Sequence, residues 1–122
     1  MLTALNRAKV LNDVLEQLGR NRALEAGSPN VTPEPTKMGV DCEGRPIVGV
    51  DFTEGKYRAR IRVCDALSGA DKRITLIRTD CVDEAAYAYR VAHIALWGSA
   101  SWAANDDTEY LTACVGHVGR NN

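Results

Sequence analysis

The chain has 122 residues, 15 of them Lys or Arg against 16 Asp or Glu, and 45% of the whole is hydrophobic. That length allows one domain with at most a short extension, and that composition belongs to an ordinary globular protein, which excludes a two-lobed enzyme, a disordered chain and a membrane-embedded one. A formal net charge of −1 excludes a chain that is basic throughout, so a nucleic-acid site here must be a local patch balanced elsewhere.

In chain order, Leu2, Leu5, Ala8, Leu11, Val14 or Leu15, and Leu18 recur at helical spacing with Arg7, Lys9, Asp13 and Glu16 between them, which predicts an amphipathic helix stopped near Gly19. Its apolar stripe either covers the domain's own core or pairs with a partner, such as a second copy in a homodimer. The N-terminal stretch lacks the uninterrupted apolar run of a secretory signal, and the longest uncharged stretch, 91–105, is too polar to span a bilayer, so no membrane partner and a cytoplasmic location are expected. Residues 27–37 hold three Pro and a Gly, which forbid both a helix and a paired central strand. The expected organisation is therefore a helical extension over 1–26, a linker over 27–37, a compact domain over 38–105 and a tail over 106–122.

Within that domain, residues 47–52 form a short β-rich run, and Gly55 marks a turn into a clearer strand. From Lys56 to Val63 the alternation is strict: Lys56, Arg58, Arg60 and Arg62 share one face, and Tyr57, Ala59, Ile61 and Val63 the other. Ser68 and Gly69 lie in the following loop, and Lys72 to Arg78 reads as the hairpin partner, with Ile74 and Leu76 towards the core and Arg73, Thr75 and Ile77 beside the arginines. A helix follows over 82–97, with Asp83 and Glu84 in its first turn, Thr79 or Asp80 as its cap, and Gly98 as its end. Its many alanines let it lie close against a sheet.

This order of elements and the residues that carry it resemble the AP2/ERF DNA-binding domain, in the short form seen in phage and mobile-element proteins. The likeness covers about residues 48–105. It rests on Gly49-Val50, on Gly55-Lys-Tyr-Arg-Ala-Arg-Ile61, on Lys72-Arg-Ile-Thr-Leu76, on the helix start Asp80-Cys-Val-Asp-Glu-Ala-Ala86 and on the helix end Ala92-His-Ile-Ala-Leu-Trp-Gly98. The resemblance implies an α+β fold, a three-stranded antiparallel sheet packed on one α-helix, with the open sheet face laid in the major groove of duplex DNA. By the same resemblance Arg58, Arg60 and Arg62 match contact positions of the second strand, and Arg73 and Thr75 those of the third. Lys56, Lys72 and Arg78 complete the candidate interface, with Lys56 and Arg78 suited to phosphate.

From Lys56 to Arg78 there are seven basic residues against Asp65 and Asp71, a local charge of +5 inside a chain of −1. The chain departs from the family in its first strand, which brings Asp51 and Glu54 and no Arg or Lys, and in Cys81, which stands where the family's helix cap is Thr. Those acids keep a second reading open: a protein-binding module on an AP2-like scaffold, such as a phage inhibitor docking on an acidic host surface or a nucleic-acid enzyme. No catalytic site, metal or cofactor is expected, since the four cysteines stand 22, 17 and 33 positions apart, His93 and His117 have no matching ligand pair, and no P-loop, dinucleotide or nucleophile-elbow pattern occurs.

Overall fold

The computed structural model describes residues 2–21, 39, 40, 42, 44–64 and 70–98. The linker over 27–37, the tail over 106–122 and His117 lie outside the described residues. Five elements follow one another: α1 (Ala4–Arg20), β1 (Val50–Thr53), β2 (Lys56–Cys64), β3 (Asp71–Thr79) and α2 (Val82–Trp97). The fold is α+β, with an open three-stranded antiparallel sheet in the order β1-β2-β3.

Thr3 starts α1 by accepting the Asn6 N–H on its hydroxyl at 3.1 Å, which satisfies one of the orphan amides of a first turn. Its deepest positions are Val10, Val14 and Leu18, one turn apart, with Leu11 and Leu15 at their margin. The expected stripe through Leu5 is therefore rotated, since Leu5 is 81% exposed. The helix also runs past Gly19 to a cap at Asn21, whose N–H and side-chain amide both donate to the Gln17 carbonyl, at 3.2 and 2.8 Å. Packing is against α2 and β3, so the buried residues of α1 belong to the chain's own core.

β1 and β2 are joined by Glu54 and Gly55, with φ of 54° and 79°, the two left-handed residues of a tight hairpin turn. This fixes the register at Thr53 opposite Lys56 and Asp51 opposite Arg58. Ala59, Ile61 and Val63 point into the core as the alternation requires, joined by Ile74 and Leu76 from β3. A bulge between Ala59 and Arg60 breaks the β2–β3 ladder: Arg60 faces Thr75, but Ala59 faces Ile77. The extra residue turns Ile77 towards the core, where it packs half-buried, and brings Arg78 opposite Arg58 on the open face. Periodicity alone places Ile77 beside the arginines, and the bulge reverses that.

Cys81, not Thr79 or Asp80, is the cap of α2, and its side chain makes no capping bond. Thr79 supports the start from outside, accepting the Cys81 N–H at 3.2 Å and donating to Glu84 at 2.7 Å. Every residue from Ala85 to Ile94 is buried, because the sheet covers one side of α2 and α1 another. Ala85, Ala88 and Ala92 bring the backbone of α2 close to its neighbours. The helix ends at Gly98, with φ at 58°.

Candidate sheet-face interface

The strand alternation puts both helices on one side of the sheet and a row of polar side chains on the other. Lys56, Arg58, Arg60 and Arg62 of β2 lie there with Arg73, Thr75 and Arg78 of β3, and the register sets Arg62 opposite Arg73, Arg60 opposite Thr75 and Arg58 opposite Arg78. Lys72 does not join them. It stands opposite Val63 on the helix side, with Nζ 3.5 Å from the Asn21 carbonyl at the end of α1, where a cation suits the exposed carbonyl end of a helix.

β1 changes the electrostatics of this face. Asp51 accepts from Arg58 Nε at 3.0 Å and Nη2 at 2.8 Å, a two-pronged pair, and from Arg60 Nη2 at 2.9 Å. The hydrogen bonds from Arg58, followed by the charges of Arg58 and Arg60, hold the Asp51 carboxyl below its ordinary value, and the same pairing raises Arg58. Arg78 Nη2 lies 2.9 Å from Glu54, and Lys56 Nζ lies 3.2 Å from Asp80. Four of the cations on the face thus have a carboxylate of the same chain against them. The pairs of Asp51 are half-buried, whereas those of Glu54 and Asp80 are exposed and correspondingly weak.

Sequence reasoning registers Asp51 and Glu54 as acids in the first strand but does not couple them to particular arginines. The signal that couples them is the two-residue turn at Glu54 and Gly55, which determines the pairing of every residue in the hairpin.

His93 and Arg90 lie away from this face. They are 1% and 2% exposed inside α2, with the Arg90 Nη2 3.4 Å from the Pro46 carbonyl and the His93 ring 4.1 Å from that of Trp97. Cys42 is exposed and its N–H donates to Asp83 at 3.0 Å. Among the described residues no three His, Cys, Asp or Glu side chains gather as a metal set, and no helix is long and apolar enough to cross a membrane.

No protein-family model, curated protein or solved structure matches the chain.

Proposed function

We propose that the chain is a small non-enzymatic DNA-binding protein that applies the open face of its sheet to duplex DNA, with a regulatory role in a phage or mobile element of the kind the AP2/ERF resemblance implies. The observation that carries this reading is the separation of faces. Both described helices lie behind the sheet, and six cations, Lys56, Arg58, Arg60, Arg62, Arg73 and Arg78, lie on the side that neither of them covers. Three strands at a spacing of about 4.8 Å make a platform roughly 10 Å wide, which suits a major groove about 12 Å wide. Arginines from such a platform reach guanine edges and phosphates alike.

The carboxylates on the same face favour a second reading, in which the face docks on a protein with acidic groups of its own, as a phage-encoded inhibitor would. Asp51, Glu54 and Asp80 already offset the charge of their neighbours, which a surface mixed in sign tolerates better than a uniform polyanion does.

Fluorescence anisotropy with a mixed-sequence duplex at about 50 mM salt separates the two. Binding that weakens steeply with added salt and is lost in the triple variant Arg58→Ala, Arg60→Ala, Arg62→Ala supports the DNA reading. No binding at that salt overturns it, and a stable complex with a protein of acidic surface then supports the second.

A further inference from the structure

β1 places an acid in the middle of the basic face. Asp51 stands directly opposite Arg58 in the ladder, where it accepts from Nε and Nη2 of Arg58 at 3.0 and 2.8 Å and from Nη2 of Arg60 at 2.9 Å. The hydrogen bonds from Arg58, and then the charges of both arginines, hold its carboxyl below the ordinary value, so at neutral pH it is a carboxylate, which can only accept. The Asp51 side chain is 39% exposed and that of Arg58 23%, which leaves both within reach of a molecule laid on the face. A phosphate offers such an acid nothing, since it has acceptors alone. Only a partner group with an N–H to donate gives Asp51 a contact of its own.

In the major groove of duplex DNA the donors are the amino groups, N4 of cytosine and N6 of adenine. The two base pairs differ in what flanks that donor. A G·C pair sets two guanine acceptors, N7 and O6, side by side with cytosine N4 next to them, whereas an A·T pair has its donor between two acceptors, adenine N7 and thymine O4. The Arg58 fork presents two N–H groups in one direction and so fits adjacent acceptors, which only guanine supplies. The G·C edge also repeats the spacing of the protein pair. Guanine O6 and cytosine N4 are hydrogen-bonded to each other at about 2.9 Å, and Arg58 Nη2 and Asp51 are 2.8 Å apart. A phosphate that takes Arg58 leaves an anion against the Asp51 carboxylate, a contact of like charges. A G·C pair satisfies both members of the opened ion pair, while Arg60 still holds the carboxylate from its other side.

We infer that Asp51 is a specificity-determining residue, accepting the cytosine N4–H of a G·C pair whose guanine takes the Arg58 fork. This role rests on the DNA reading above, and it gives a function to the acid that sets the first strand apart from the family the chain resembles.

The test uses the full chain and a mixed-sequence duplex, either unmodified, or with 7-deazaguanine for guanine, which removes N7, or with N4-methylcytosine for cytosine, which puts a methyl group where the groove-facing N4–H stands. Affinities from fluorescence anisotropy are compared as the ratio of modified to unmodified duplex for each protein, so a change in overall affinity from released arginines cancels. In the native chain both modifications weaken binding, each on the order of tenfold, the worth of one charge-assisted hydrogen bond. In Asp51→Ala, shown to be folded by its thermal melt, the effect of N4-methylcytosine disappears and that of 7-deazaguanine remains. A native chain indifferent to N4-methylcytosine, or an Asp51→Ala chain still weakened by it, overturns the role of Asp51 and leaves the DNA reading intact. Loss of the 7-deazaguanine effect in Asp51→Ala overturns it as well, because Asp51 would then only position Arg58. No binding of any of these duplexes overturns the DNA reading and this role with it.

Discussion

Replacing Asp51 with Asn tests whether the acid in β1 restrains the arginines beside it. The substitution keeps the shape of the side chain and removes the charge that Arg58 grips with two nitrogens and Arg60 with one. In the folded chain alone the loss is small, at most about 1 kcal/mol, because half-exposed ion pairs are screened by solvent. The effect on duplex binding has the opposite sign. Each arginine released to a phosphate adds about 0.9 to the slope of log K against log salt, so two make the slope steeper by about 2. At about 0.1 M salt this corresponds to affinity on the order of tenfold tighter or more. Anisotropy titrations of the native chain and the variant at several salt concentrations, beside thermal melts of each, give both quantities. Tighter binding by a slightly less stable protein is the expected pair of results. An unchanged slope, or weaker binding, refutes the reasoning and makes Asp51 a residue that orients Arg58 and Arg60 rather than one that competes for them.

Three further outcomes follow from the packing and the charges. Gly49→Ala destabilises by about 2–4 kcal/mol, the left-handed backbone adding to the overlap with Tyr89, whereas Gly55→Ala, left-handed but with nothing near its Cβ, costs about 1 kcal/mol. Thermal midpoints should differ by at least ~5 °C, and equal midpoints would show that the Tyr89 contact relaxes without cost. Leu18→Ala in α1 lowers stability by about 2–5 kcal/mol in urea titrations, while Leu5→Ala shifts it by less than about 0.5 kcal/mol; similar losses from the two would mean that α1 does not sit in the core as described. The lowered Asp51 carboxyl contributes stability that is present above its unfolded pKa of about 3.9 and lost as pH falls through the folded value, and the raised Tyr89 phenol contributes stability that is present below about pH 10 and lost as pH rises towards about 12. The stability difference between the native chain and Asp51→Asn should accordingly begin to shrink as pH falls below about 4 and be gone once pH lies below the lowered folded value, and a difference that does not shrink with acid would assign the effect to shape rather than charge.

The two-residue alternation of β2 is the most legible feature of the chain, because a strand with one core face and one solvent face leaves a period that no other structure shares. It gives the sheet, the basic face and the buried row of Ala59, Ile61 and Val63 directly. The same rule misplaces Ile77, because a bulge is set by how two strands fit together and leaves no mark in the period of either one. In α1 the row read at three-residue spacing from Leu2 and Leu5 to Leu18 winds round the helix, and only the position of α2 and β3 selects Val10, Val14 and Leu18 from it and its neighbours and leaves Leu5 exposed. The cap of α2 fails for a similar reason: Thr79 is a good capping residue by type, but the last pairing of β3 still holds it, opposite Tyr57.

The candidate site divides along the same line between local and non-local information. Its arginines are visible in the period of β2, and their pairing with Asp51 follows from the hairpin turn at Glu54 and Gly55, both local features. A depression lined by Gly49, Arg60, Arg73 and Tyr89 among others needs a glycine ahead of β1 and a tyrosine 40 positions later in α2, which come together only through tertiary packing. This division bears on how such a face discriminates. Non-specific attraction to a polyanion grows with the cations that are free to meet phosphate, and Asp51, Glu54 and Asp80 diminish it within the chain itself. A ligand that engages Arg58 and Arg60 must displace Asp51, whereas one that engages Arg73 displaces no ion pair among the described residues. The Arg58–Arg60 stretch of the face is therefore guarded by Asp51. Binding across that stretch is conditional on contacts good enough to replace a two-pronged carboxylate.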